Sequence, residues 1–153
     1  MGSYGKAGLP AVAPQLGHIL KGKTAMGHWA DHDIHAKLTA ILGSIPSYDH
    51  HFGRPLLTAY QLAIEFAARH HVETAALGYP IGGAGTGQRN SLSQYLAREL
   101  SQRIKAGTVA DIEGLFLSNL HLHDVQFDTD AGVISSSLTQ TPFTLSLYRL
   151  REP

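Results

Sequence analysis

Residues 77–96 read LGYPIGGAGTGQRNSLSQYL. An aromatic-proline pair runs through four glycines in six residues (Gly82, Gly83, Gly85 and Gly87) into a helix start. Glycine accepts backbone angles and close approaches that a Cβ resists. Asn90 and Ser91 suit a helix cap, and Ser91-x-x-Gln94 has the spacing of a capping box. Such a loop can aim free backbone N–H groups at one point, which is how an anion is cradled, and Arg89 adds a positive charge beside it. The competing reading is a flexible linker before a helix.

Downstream, Leu92, Tyr95/Leu96, Leu100 and Ile104 fall on one face of a helix from Ser91 to Lys105, with Gly107 as its stop. Upstream, Pro55 suits a first helical turn, and Leu57, Tyr60, Ile64 and Ala67/Ala68 continue at helical spacing to Arg69 or His71. DIHAKLTAIL, from an Asp31 or Asp33 cap, is a further helix ended by Gly43. Residues 1–30 are Gly-, Ala- and Pro-rich and poorly patterned. Beyond Asp111 the pattern turns to strand. Leu120, Leu122 and Val125 alternate with His121 and His123, the DTDAG turn follows Phe127, and Phe143, Leu145 and Leu147 alternate after Pro142. Helices followed by strands predict an α+β fold: one mainly helical domain over 1–153, its helical part at 31–106 and a small C-terminal antiparallel sheet in 107–153.

The chain has 153 residues, enough for one core, and no cysteine. Thiol catalysis, disulfides and Cys-based zinc sites are therefore excluded. No apolar run reaches membrane-spanning length, and the first residues lack the basic-then-apolar order of a signal peptide, so a cytoplasmic protein without membrane contact is expected. The net charge of zero is unevenly spread. Residues 50–106 carry six basic groups against three Glu, whereas 107–153 carry two Arg against six acids. A basic middle holding the Gly-rich loop points to a phosphate-bearing partner.

Catalytic patterns fail at their chemical residues. Gly82-x-x-x-x-Gly87 has P-loop spacing, but Gln88-Arg89 stand where Lys and Ser/Thr are needed. No serine sits in a Gly-x-Ser-x-Gly elbow. His28, His32 and His35 would share a helical face and could bind zinc with Asp31 or Asp33, although HExxH is absent. His121-x-His123 would put both rings on one face of a strand. Binding is favoured over catalysis, with no cofactor and no catalytic or metal residue assigned.

HHFGRP (residues 50–55) together with GYPIGGAGTG (residues 78–87) resembles the DNA sulfur-binding domains. These accompany HNH-type nucleases in McrA-like, type IV modification-dependent restriction enzymes. The likeness covers roughly residues 46–106 as short elements. It implies a reader of phosphorothioate double-stranded DNA, in which sulfur replaces a non-bridging phosphate oxygen. The implied sulfur pocket is shallow and apolar: Tyr79, Pro80, Gly83 in the small-residue place, and Arg54 with His51 or His50. In this chain Phe52 and Gly53 separate His51 from Arg54, which are adjacent in the family pattern. Phosphate and base contacts would come from Arg54, Gly82, Gly85, Gly87, Gln88, Arg89, Asn90 and Ser91, Arg pairing with guanine and Asn with adenine. A nuclease, if any, lies outside this chain. A Pro80–Tyr79 wall offers no N–H, and burying an unpaired oxygen costs about 1–3 kcal/mol, while softer sulfur loses less. Two rival readings are a general nucleic-acid or phospholigand module and a small His-site metalloenzyme.

Overall fold

The computed structural model describes residues 27–83, 91–136 and 145–152. Two compact units divide the chain, 1–34 and 35–153. Within the described part of the first, helix α1 (Gly27–Asp31) buries Trp29, and the rings of His28 and His32 stack at 5.6 Å. Helix α2 (Ile34–Gly43) begins directly after Asp33, whose φ is +50°. It buries Leu38, Ile41 and Leu42 on the anticipated face.

The second unit combines helices with antiparallel strands, which makes the fold α+β. Strand β1 (Leu57–Thr58) leads into helix α3 (Ala59–Arg69), followed by α4 (His71–Leu77) and α5 (Leu92–Ala106), the longest of the described helices. Strands β2 (Ile112–Leu117), β3 (Gln126–Thr129), β4 (Gly132–Ser135) and β5 (Leu145–Leu150) complete it. β5 is central in a three-stranded sheet ordered β1-β5-β2, and β3-β4 is a separate hairpin. The hairpin turns at the expected DTDAG, and α5 stops at Gly107 (φ +81°) as anticipated. Tyr60, Leu62, Ala63 and Phe66 of α3 join Leu92, Leu96 and Leu100 of α5 in the core, with Ile112 and Tyr148 from the sheet.

Four local expectations are corrected. Pro55 does not open a helix. Thr58 caps α3 instead, its Oγ1 accepting the Gln61 N–H at 3.1 Å while Gln61 Oε1 accepts the Thr58 N–H at 2.7 Å. Leu57 is consequently freed to pair with Tyr148 across the sheet. The α3 core face turns with this later start, so that Ala68 is exposed and Ile64 and Ala67 are only half-buried. Residues 71–77 form α4, a helix absent from the sequence reading. The segment containing His121 and His123 is not a strand: the Leu122 N–H bonds Asn119 O at 3.0 Å and His121 takes φ +63°, a tight turn. The strand lies earlier, at β2, where a central glycine and exposure on both faces hide the alternation.

Candidate nucleic-acid interface

Helix α4 ends at Gly78, whose φ of +77° lets its N–H return to Thr74 O at 3.1 Å. The chain then reverses onto the start of α5. Pro80 O accepts the Leu92 N–H at 2.7 Å, and Ile81 O accepts the Ser93 N–H at 3.0 Å. Ser91 Oγ accepts the Gln94 N–H at 3.2 Å. Helix N-termini leave amides without intrahelical partners, which is why they bind anions. Here the amides of Leu92, Ser93 and Gln94 are satisfied within the protein. The helix start itself therefore has none of these three amides to offer an anion, and Gly85 and Gly87 of the expected cradle lie outside the described residues.

Gly82 and Gly83 owe their identity to the same packing. At φ +130°, a Cβ on Gly82 would stand 2.5 Å from Ser93 Oγ. At φ +118°, one on buried Gly83 would meet Ser135 O at 3.1 Å and Ile134 Cβ at 3.3 Å. These two glycines admit the protein's own α5 and β4 against the chain.

What this clamp presents outward is Tyr79-Pro80. Pro80 is exposed and Tyr79 half-buried, its ring 5.5 Å from that of Tyr95 on α5. The exposed guanidinium of Arg98 stands 5.7 Å over the Tyr95 ring, a cation-π arrangement. Burial, with a smaller contribution from Glu99, pushes the Tyr95 phenol up to about 12, so it stays neutral. Arg98 and Tyr95 were not assigned to the site from the sequence. Their i,i+3 spacing on an amphipathic helix was the available signal.

Arg54 has a different occupation. Its Nη1 donates to Gly43 O at 3.0 Å and to Ile45 O, and its Nε lies 3.2 Å from Glu152 Oε1. It thereby ties the end of α2 to the chain after β5. The rings of His50 and His51 stack at 4.6 Å, and His51 lies 4.2 Å from Phe52, in a loop where Tyr48 and Phe52 are 82% and 72% exposed. Arg149 fixes that loop, donating to Phe52 O at 2.7 Å and Arg54 O at 3.2 Å. Tyr148, the preceding residue, sends its hydroxyl to Ala97 O of α5. Successive strand residues face opposite sides. The 50–54 loop therefore lies across the sheet from α5, whereas Tyr79 packs on α5. The structure packs Tyr79 on Tyr95 and ties Pro80 to the start of α5 beside Ser91, and it does not bring them together with His51 or Arg54.

Gly85, Gly87, Gln88, Arg89 and Asn90 lie outside the described residues. His35 Nε2 is 2.6 Å from Asp111 Oδ1, and Thr39 donates to Asp111 Oδ2 at 2.9 Å. Burial alone would raise the Asp111 carboxyl, but the bonds from His35 and Thr39 outweigh it and hold the group below its ordinary value. Among the described residues no group of three or more His, Cys, Asp or Glu could hold a metal ion. None of their helices is long and apolar enough to cross a membrane. Comparison with protein-family models, curated proteins and solved structures finds no match for the chain.

Proposed function

We propose that the chain is a non-catalytic recognition module for phosphorothioate-modified double-stranded DNA, acting in the cytoplasm alongside an HNH-type nuclease. The observation that supports this reading is the Tyr79-Pro80 wall. The Leu92 and Ser93 N–H groups of α5 donate to Pro80 O and Ile81 O and hold it in place, so the exposed Pro80 ring, which has no N–H, stands next to Tyr79, packed on the Tyr95 ring that also carries the Arg98 guanidinium. Sulfur is more polarisable than oxygen and accepts hydrogen bonds poorly, so it loses least against such a wall. Arg98, and Arg89 from the neighbouring loop, supply charge to the phosphates. Arg98 thus takes the part that the family resemblance gives to Arg54.

The test is Kd for matched duplexes, one carrying a single phosphorothioate, at one fixed salt concentration. Wild type should prefer the modified duplex by about 10-fold or more, the equivalent of about 1.4 kcal/mol. Pro80→Ala and Tyr79→Ala should collapse that ratio toward one with little loss on plain DNA. Arg98→Ala should weaken both duplexes alike and lower the slope of log K against log salt by about 0.9. Equal affinity of wild type for the two duplexes would replace this reading with a general nucleic-acid module. That alternative draws on the exposed rings of Tyr48 and Phe52, which can stack on bases. Absence of binding to either duplex would dismiss both.

A further inference from the structure

Strand β2 is the outer strand of its sheet: it pairs with β5 on one side and has no strand partner on the other among the described residues. Edge strands are ordinarily protected by a lysine, a proline, a bulge or an inward charge. β2 reads IEGLFL and pairs without a bulge over six consecutive positions. Its single charge, Glu113, is committed to Arg149 at 3.0 Å on the neighbouring strand. Past it, Leu115, Phe116, Leu117 and Leu120 are 45%, 74%, 41% and 72% exposed.

Beside this edge lies a groove of about 450 Å³, formed by Ser101, Ile104 and Lys105 of α5 with Gly114, Phe116 and Tyr148 of the sheet. Its floor is made by Tyr148 and Ile104, which close over residue 114 because that residue has no side chain. A Cβ there would meet Tyr148 Cε1 at 3.3 Å and Ile104 Cδ1 at 3.4 Å.

We propose that β2 pairs antiparallel with β2 of a second copy of this chain, about a two-fold axis at Leu115. In that register Leu115 faces its own counterpart, and Phe116 of each copy stands opposite Gly114 of the other. Paired residues in an antiparallel ladder project to the same face. Each Phe116 ring therefore lies on the partner's groove, packing on the Tyr148 and Ile104 side chains that cover Gly114. A shift to the next symmetric register sets Phe116 against Phe116 or Gly114 against Gly114, the first crowded and the second empty. The Leu115 register is the one that sets each Phe116 against the partner's groove and not against its own counterpart, and it joins two three-stranded sheets into one of six strands. A chain of zero net charge adds no long-range repulsion between copies. The exposed area of the four apolar side chains is roughly 400 Å² per copy, about half the ~800 Å² per partner of a standard interface. Backbone pairing and the groove rim add to it, and the association expected is micromolar.

Sedimentation equilibrium of the full chain across roughly 1–200 μM should show a monomer–dimer equilibrium in the affinity range of a small interface. Phe116→Asp should raise the dimer Kd by about 30-fold or more, as loss of a central aromatic anchor does. The chain has no cysteine, so Leu115→Cys introduces one thiol per copy, which should cross-link to its counterpart on mild oxidation. Val133→Cys, on the separate hairpin and 60% exposed, serves as the comparison and should cross-link far less. The cysteine pair decides the matter should Phe116→Asp unfold the chain. A monomer throughout, a dimer indifferent to Phe116→Asp in a folded variant, or equal cross-linking at 115 and 133 would overturn the proposal.

Discussion

Arg54 shows how a residue's role depends on what surrounds its reach. In sequence it is a cation beside two histidines in a basic segment, suited to a phosphate. In the fold its guanidinium caps the carbonyls of Gly43 and Ile45 and meets Glu152. Its side chain is 25% exposed and the two carbonyls are half-buried, whereas Glu152 is 50% exposed. Arg54→Ala leaves two carbonyls without their donor, and we expect a loss of about 2 kcal/mol in urea unfolding. The salt slope of DNA binding should stay as in wild type, in contrast to Arg98→Ala. A flattened slope with unchanged stability would return Arg54 to the interface.

At the scale of elements, caps decide where helices begin. Thr58 and Gln61 close a reciprocal capping box at α3, and this places Leu57 in β1. The Thr-x-x-Gln spacing was present in the sequence, but Pro55 offered an equally plausible start three residues earlier. Thr58→Ala should cost about 1 kcal/mol, within the range measured for lost N-caps, and Thr58→Ser should recover most of it. Chemical denaturation of both variants checks this, and equal stability of Ala and Ser would deny the cap its role. The start of α5 follows the same physics with a different outcome for function. Its amides are taken by Pro80 O and Ile81 O, acceptors from the loop before it. The same pairing ties Tyr79-Pro80 to α5 and leaves Pro80 exposed.

For the whole of the second unit, the ties that matter join residues distant in sequence. His35 and Thr39 on α2 hold Asp111, which stands immediately before β2. The Asp111 carboxyl lies below its ordinary value when folded, so folding favours its charged form. The stability this contributes is present above the unfolded carboxylate value of about 4 and is lost as pH falls through the lower folded value. Asp111 is 42% exposed, and screening keeps the contribution small, under about 1 kcal/mol. Asp111→Asn should therefore lower stability at pH 6 and narrow the gap to wild type in thermal melts below about pH 4. A gap constant from pH 6 to pH 2.5 would show that the charge of Asp111 is not the cause.

The sequence by itself determined the α+β class, α2, the bounds of α5 from Ser91 to Gly107, and the β3-β4 turn. Each rests on signals acting within a turn or two of chain: a cap hydroxyl, a glycine at positive φ, an apolar stripe at helical spacing. Tertiary structure alone decided that Leu57 joins β5, that β2 and not the 120–125 segment forms the sheet edge, and that Arg54 and His51 lie across the sheet from Tyr79. It also decided that α5's first amides are spent internally. Hydrogen bonds and strand pairing join donors and acceptors tens of residues apart, and no local pattern specifies which of several competent partners is reached. The Tyr79-Pro80 pair was legible as a motif, whereas its packing on Tyr95, the ring that also carries Arg98, became visible only when the loop folded back onto α5.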